Sequence, residues 1–102
     1  MLQGPYTISQ LSIVKVQPGV YAFSKDGKTA AYIGRADFDL SERIRASSAA
    51  SLYSYFWFEH VSTAAEAHDL ECRYVHQYKP PENQNHPAPP AGRFRRCPIC
   101  GK

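Results

Sequence analysis

The sequence predicts an α+β domain (a mixed α/β composition) in which a small β-sheet is covered by helices. Three observations support this fold class. An Asp-Gly pair between two apolar segments is typical of a β-hairpin. Two helix N-termini are marked by a capping residue followed three positions later by Glu, and an aromatic segment with strand character lies between them. The 102 residues are enough for one hydrophobic core and too few for two.

The predicted hairpin follows a weakly patterned N-terminal segment. Residues 1–17 predict no more than a helical turn around 9–14, and a Pro-Gly pair then interrupts the chain. Strands are predicted at 20–23 and 30–34, on either side of the Asp-Gly pair.

The turn also predicts a strand register. If Asp26 and Gly27 are its two central residues, Tyr21 lies directly opposite Tyr32. Directly opposed residues point to the same face of a sheet, so the two phenols are expected side by side.

The second half of the chain alternates helix, strand and helix. Asp39 followed by Glu42 predicts a helix that runs to about residue 50, and the aromatic segment predicts a strand over 52–61. Thr63 followed by Glu66 predicts the second helix, which a Lys-Pro-Pro segment ends.

Glu71 is the first candidate for a functional residue. It falls on the stripe of the second helix that is otherwise lined by Ala, Tyr and Val. A carboxylate on the core side of a helix is usually paired, protonated or bound to a metal. The alternative is that Glu71 lies at the edge of the stripe and pairs with Arg45 or Arg73, and periodicity alone leaves both interpretations open.

Five short motifs follow one another along the chain. They are Gly19-Val20-Tyr21, Tyr32-Ile33-Gly34, Leu40-x-x-Arg43, Glu71 and Lys79-Pro80-Pro81-x-Asn83. Taken together, they resemble the GIY-YIG nuclease family. Their order and spacing are close to those of the nuclease domain in bacterial excision-repair endonucleases, and the match covers about residues 17–85. The resemblance implies a three-stranded antiparallel sheet flanked by helices.

The resemblance implies a role for each matched residue. Tyr21 would be the general base toward the attacking water, and Tyr32 would orient that water or the phosphate. Arg43 would bind the scissile phosphate, as a guanidinium suits nonbridging oxygens. Glu71 would be the single carboxylate ligand of Mg²⁺ or Mn²⁺, which suffices because such ions keep several waters. Asn83 would close the site after the second helix.

Two further positions and one departure complete the comparison. Gly34 would permit close backbone approach in the site, and Arg35 stands where the family often has a basic, substrate-binding residue. Ser47 stands where the family often has His or Tyr, one turn after the arginine. Taken singly, the tyrosines could be a cross-strand packing pair, and Arg43 could be a surface partner of a neighbouring carboxylate.

The C-terminal segment contains a Cys-x-x-Cys turn, typical of half a zinc ribbon or knuckle, at Cys97 and Cys100. A structural zinc site needs four ligands. The open alternatives are two further ligands from this chain, a Cys₄ site shared between two chains, free thiols, or a redox pair. The candidates in this chain are His86, His68, Cys72 and His76.

The predicted organisation is therefore a nuclease-like domain at 1–85, with its core at 17–85, and a Pro/Arg-rich tail at 86–102. In that tail Arg93, Arg95 and Arg96 form a small basic cluster.

The predicted function is that of a metal-dependent endonuclease, with DNA favoured over RNA as substrate. The alternatives are a nucleic-acid-binding module that keeps the fold without cutting, and a zinc-stabilised interaction domain. The net charge of +3 permits an anionic partner. The sequence leaves open whether the chain acts as a homodimer or with a targeting partner protein, and repair is one of several possible roles.

Three further features of the sequence predict a cytoplasmic protein that is not associated with a membrane. No apolar run approaches the length of a bilayer span, and no secretory signal is visible. Three cysteines, an odd number, favour a reducing compartment over a disulfide framework.

Overall fold

An antiparallel sheet with helices against both faces forms the centre of the molecule. The computed structural model describes residues 1–47, 52–83, 86–89 and 96–101. In chain order the elements are strand β1 (Gln3–Thr7), a 3-10 helix (Ile8–Ile13), strand β2 (Gly19–Ser24), strand β3 (Tyr32–Ala36), helix α1 (Leu40–Ala46), strand β4 (Tyr55–His60) and helix α2 (Ala64–Tyr78).

The predicted α+β class is confirmed, but the sheet of the described chain has four strands, not three. Their order is β1-β4-β2-β3. The additional strand is β1, which pairs with β4 from Gln3↔Phe58 to Thr7↔Tyr55. Its register shifts between Gln3 and Tyr6, and such an irregularity removes the simple alternation by which a strand is recognised in a sequence.

The predicted hairpin register is wrong by two residues. Tyr21 lies opposite Gly34, and Tyr32 lies opposite Phe23. The cause is a longer turn, in which the Asp26 carboxylate accepts hydrogen bonds from the N–H groups of Lys28 and Thr29 at 2.8 and 2.9 Å. A shift of two residues keeps both tyrosines on one face, and their ring centroids are 6.3 Å apart.

Both predicted helix N-termini are confirmed by cap hydrogen bonds. Asp39 accepts from the N–H of Glu42 at 3.0 Å, and Thr63 accepts from the N–H of Glu66 at 3.1 Å. Helix α1 ends at Ala46, earlier than predicted, and 48–51 lie outside the described residues. Helix α2 ends where Lys79 adopts a left-handed conformation (φ 47°) before the two prolines.

The two faces of the sheet bury separate apolar clusters. Tyr21 and Phe23 of β2 face α1, together with Leu40 and Ile44 of that helix. The alternate residues of β2 and β3 pack under α2: Val20, Ala22 and Ile33. In the described part of the chain, no helix is both long and apolar enough to cross a membrane.

Candidate functional site

An open cleft of about 600 Å³ lies at the C-terminal end of β3. Its walls come from β2, β3, α1 and α2, together with one residue of the 86–89 segment, Ala88. Six of the residues predicted for the site line it: Tyr21, Tyr32, Gly34, Arg35, Arg43 and Glu71.

Tyr21 is buried at the base of the cleft, with 2% of its surface exposed. Its ring lies directly over Gly34, and a Cβ at position 34 would stand 2.5 Å from Cζ of Tyr21. Gly34 therefore leaves room for the phenol. The close approach that was expected at this glycine is made by Tyr21 of the chain itself.

The surroundings of Tyr21 determine the protonation of its phenol. Burial raises the pKa of Tyr21 to about 12, and the nearby Tyr32 adds to this increase. The Arg43 guanidinium and the Ser47 hydroxyl, which both hydrogen-bond to the phenol, act in the opposite direction. The phenol is thus protonated at neutral pH and has a cation against its oxygen.

Arg43 is exposed on α1 and lines the same cleft. Among the described residues, no ion pair joins Arg43 to Asp39 or Glu42, and the Glu42 carboxylate instead accepts a 2.9 Å hydrogen bond from Arg45. Arg43 instead brings a guanidinium between solvent and the Tyr21 phenol. That position suits an anion entering from solvent.

Glu71 lies on the side of α2 that faces the core, with 8% of its surface exposed. Its Oε1 accepts a 2.8 Å hydrogen bond from Nη1 of Arg35. The alternative pairing with Arg45 or Arg73 is therefore wrong. Burial raises the pKa of the Glu71 carboxyl, and the Arg35 guanidinium opposes that increase.

Arg35 holds two carboxylates at once. Its Nε donates to Oδ1 of Asp37 at 2.8 Å, while its Nη1 donates to Glu71. Its positive charge is therefore compensated within the chain, in contrast to the predicted role of a free substrate-binding cation. Asp37 was missed by the sequence analysis, although its position two residues after Arg35 at the end of a strand was a signal that the two side chains share a face.

Asn83 does not line the cleft. Its Oδ1 accepts from the N–H of Ile33 at 2.8 Å, and its Nδ2 donates to the carbonyl of Ile33 at 2.7 Å. The side chain thereby pairs with the outer edge of β3, as a further strand would. Asn83 therefore positions the strand that carries Tyr32 and Gly34, on either side of Ile33.

Tyr53, the first tyrosine after Ser47 in the chain, does not take the place of the His or Tyr that the family often has at that position. It is buried, its ring stacks on Phe23 with centroids 5.4 Å apart, and its hydroxyl donates to Glu82. It does not line the cleft. Ser47 itself reaches Tyr21, so a hydroxyl remains at this place but no group that titrates near neutral pH.

The two cysteines of the Cys-x-x-Cys turn lie away from the cleft. Their sulfur atoms meet two histidines, His76 of α2 and His86, and the four ligand atoms lie within 4.8 Å of one another. Of the other candidates, Cys72 is not one of the four, but its thiol lies beside them: it contacts His68 at 3.5 Å within α2 and is within hydrogen-bonding reach of Cys97. Arg96 is exposed, and the rest of the predicted basic cluster lies outside the described residues.

Comparison with solved structures shows that the chain has a GIY-YIG-like fold. The GIY-YIG N-terminal endonuclease domain of UvrC from Thermotoga maritima, bound to its catalytic divalent cation magnesium, has 26% sequence identity and a TM-score of 0.60. The match covers 72% of this chain and 90% of that domain. A tyrosine-to-phenylalanine variant of the same domain, also with its divalent cation, matches with 26% identity and a TM-score of 0.63 over 76% of this chain and 93% of that one.

Two searches by sequence give no match. No family model matches the chain, and no curated protein does. The likeness therefore rests on the fold.

Proposed function

We propose that this chain is a metal-dependent endonuclease that hydrolyses phosphodiester bonds in nucleic acid, DNA rather than RNA. One observation carries the proposal: on a GIY-YIG-like fold, a single cleft gathers Tyr21, Tyr32, Arg43 and Glu71 from four separate elements. The likeness to an endonuclease domain bound to a catalytic divalent cation supports the same conclusion.

The donor set of the cleft fits a hard divalent cation such as Mg²⁺ or Mn²⁺. Glu71 would hold the ion through a carboxylate oxygen, with water completing the coordination. The carboxylate is paired with Arg35 through Oε1 at 2.8 Å, so the other oxygen, Oε2, is the one that would face the ion. When bound, the ion would supply Lewis-acid stabilisation of the charge that develops on the leaving oxygen.

The side chains of the cleft divide the remaining tasks. Arg43 would hold the scissile phosphate, since its exposed guanidinium suits nonbridging oxygens. Tyr21 would accept the proton of the attacking water, and Tyr32 would orient that water or the phosphate. Because the pKa of Tyr21 is raised to about 12, the phenolate is scarce at neutral pH, and Arg43 is the neighbouring cation that stabilises it.

We take residues 1–85 as the catalytic unit and 86–102 as a tail, of which the segments 86–89 and 96–101 are described. Nucleic acid is the proposed partner. A second copy of the chain or a targeting protein would add selectivity, because the exposed positive charge of the cleft is small and its attraction for phosphates is screened by salt.

The test is cleavage by the purified chain. Supercoiled plasmid, branched DNA, single-stranded DNA and structured RNA would be incubated with Mg²⁺, with Mn²⁺, or with chelator. We expect cleavage of DNA with either ion, none with chelator, and slower cleavage of RNA. Cleavage that persists in chelator would contradict the metal-dependent mechanism, and preferential cleavage of RNA would contradict the substrate class.

A non-cleaving nucleic-acid-binding module is the second candidate, favoured by Ser47. This residue contacts Tyr21 at the position where the family often has His or Tyr. Binding of DNA without cleavage under every metal condition would identify this function.

A further inference from the structure

We propose that the chain binds one structural Zn²⁺ through His76, His86, Cys97 and Cys100. The proposed site is separate from the cleft and does not depend on nuclease activity. Two imidazoles and two thiolates are a donor set that suits zinc and not the oxygen-seeking Mg²⁺.

The four residues converge from three places in the chain. His76 lies in the last turn of α2, His86 lies in the 86–89 segment, and the cysteines lie in the 96–101 segment. Their ligand atoms lie within 4.8 Å of one another, whereas ligand atoms around a tetrahedral zinc are separated by roughly 3.3–3.8 Å. A decrease of about 1 Å in the longest of these separations between ligand atoms would give the tetrahedral arrangement.

His86 is oriented for metal binding by its second ring nitrogen. Nδ1 lies 3.0 Å from the carbonyl oxygen of Pro87 and must donate to it. This hydrogen bond leaves the lone pair on Nε2, which lies 3.2 Å from Sγ of Cys100. Histidine ligands of zinc commonly donate their other N–H to a carbonyl in this way.

His76 supplies a separate observation. Its Nε2 is buried, and within the described residues it has no hydrogen-bond partner. A buried nitrogen without a partner carries a desolvation cost. The imidazole of His76 lies beside that of His86, with ring centroids 5.5 Å apart. A metal ion bound by both rings would therefore give Nε2 of His76 a partner.

The Cys-x-x-Cys turn presents both sulfur atoms to the same point. The N–H of Ile99 donates to Sγ of Cys97 at 3.4 Å, and the N–H of Gly101 donates to the carbonyl of Cys97 at 3.0 Å. Gly101 has φ +78°, a conformation that favours glycine. The turn therefore already has a form in which backbone N–H groups support a thiolate.

A zinc ion here would connect the tail to the cleft. His76 ties the site to α2, the helix that carries Glu71, and Ala88, two residues after His86, lines the cleft. The ion would thus hold the 86–89 segment as one wall of the cleft.

The test measures zinc in the full chain, purified under reducing conditions after expression with added zinc. We expect about one zinc per chain in the wild type, and less than a tenth of that in His86→Gln and Cys100→Ser. Cys100 is exposed, so its substitution leaves the core intact, which circular dichroism checks. Cys72→Ser and Glu71→Gln are the controls, and both should keep their zinc, because one replaces a thiol outside the four ligands by a hydroxyl that can still hydrogen-bond to Cys97 and the other removes a carboxylate of the cleft.

A second measurement uses only the wild-type chain, with Co²⁺ in place of zinc. Tetrahedral coordination by two thiolates predicts visible ligand-field bands and thiolate-to-cobalt charge transfer, both lost on adding zinc. The proposal is overturned by a wild-type chain that takes up no zinc, by zinc that persists in both ligand variants, by its loss in Cys72→Ser, or by cobalt spectra without thiolate absorption.

Discussion

At the scale of single residues, Tyr21 connects the sequence most directly to the proposed chemistry. Burial raises its pKa to about 12, so the phenolate fraction of the free protein rises about tenfold per pH unit up to that value. If Tyr21 is the base, single-turnover cleavage should rise with the same slope between about pH 7 and 9.

The matching variant is Tyr21→Phe, which we expect to lower the cleavage rate by about a hundredfold or more and to flatten the pH profile. Tyr78→Phe removes an exposed phenol of α2 outside the cleft and should change neither property. A wild-type rate independent of pH, or a Tyr21→Phe profile that keeps its slope, would show that another group accepts the proton of the attacking water.

Gly34 makes a prediction about packing. In Gly34→Ala the new Cβ would overlap the Tyr21 phenol, so we expect a loss of about 1–3 kcal/mol in the free energy of unfolding. A double-mutant cycle with Tyr21→Phe, followed by denaturant unfolding, tests the contact. The loss should be smaller in the Phe background, because part of the clash involves the hydroxyl, and equal losses in both backgrounds would rule out a contribution of the hydroxyl to the clash.

Arg35 makes a prediction about charge. Arg35→Gln leaves Glu71 buried without its cation, and breaking a buried pair costs about 3–5 kcal/mol. If Glu71 also binds Mg²⁺, the ion should raise the midpoint of thermal unfolding more in Arg35→Gln than in the wild type. The double variant with Glu71→Gln should show no such response, and an equal response in all three chains would argue against a metal at Glu71.

At the scale of elements, the sequence was most informative where hydrogen bonds are local. The caps at Asp39 and Thr63 involve residues three positions apart, and both helix starts were predicted correctly. The hairpin register failed because the Asp26 carboxylate binds two backbone N–H groups of its own turn. Strand β1 was missed because its pairing with β4 spans about half the chain and is irregular.

The edge of β3 supplies a prediction at this scale. Asn83→Ala removes both hydrogen bonds to the Ile33 backbone, and we expect a loss of about 1–3 kcal/mol. Hydrogen exchange of the Ile33 amide should accelerate, since its acceptor is gone. Asn83→Asp keeps an acceptor for that amide and should protect it better than Ala does, so equal exchange in the two variants would contradict the pairing.

At the scale of the whole molecule, the predicted residues of the nuclease site line the cleft with the exception of Asn83, but the contacts within the cleft were not predicted. The resemblance of the motifs predicted four site residues that the structure places around one cleft: Tyr21, Tyr32, Arg43 and Glu71. The pairing of Arg35 with Glu71 joins residues 36 positions apart on different elements, which no local pattern encodes. The meeting of His76 and His86 with the Cys-x-x-Cys turn likewise depends on how the tail folds back.

The most direct test of the central claim is single-turnover cleavage of DNA with Mg²⁺ by Glu71→Gln, with DNA binding measured in parallel. The matched control is Glu66→Gln, which removes an exposed carboxylate of the same helix away from the cleft. We expect Glu71→Gln to bind DNA but to cleave at least about a hundredfold more slowly, because several kcal/mol of metal-assisted stabilisation are lost. Cleavage by Glu71→Gln at the rate of Glu66→Gln would show that Glu71 is not the metal ligand of the nuclease.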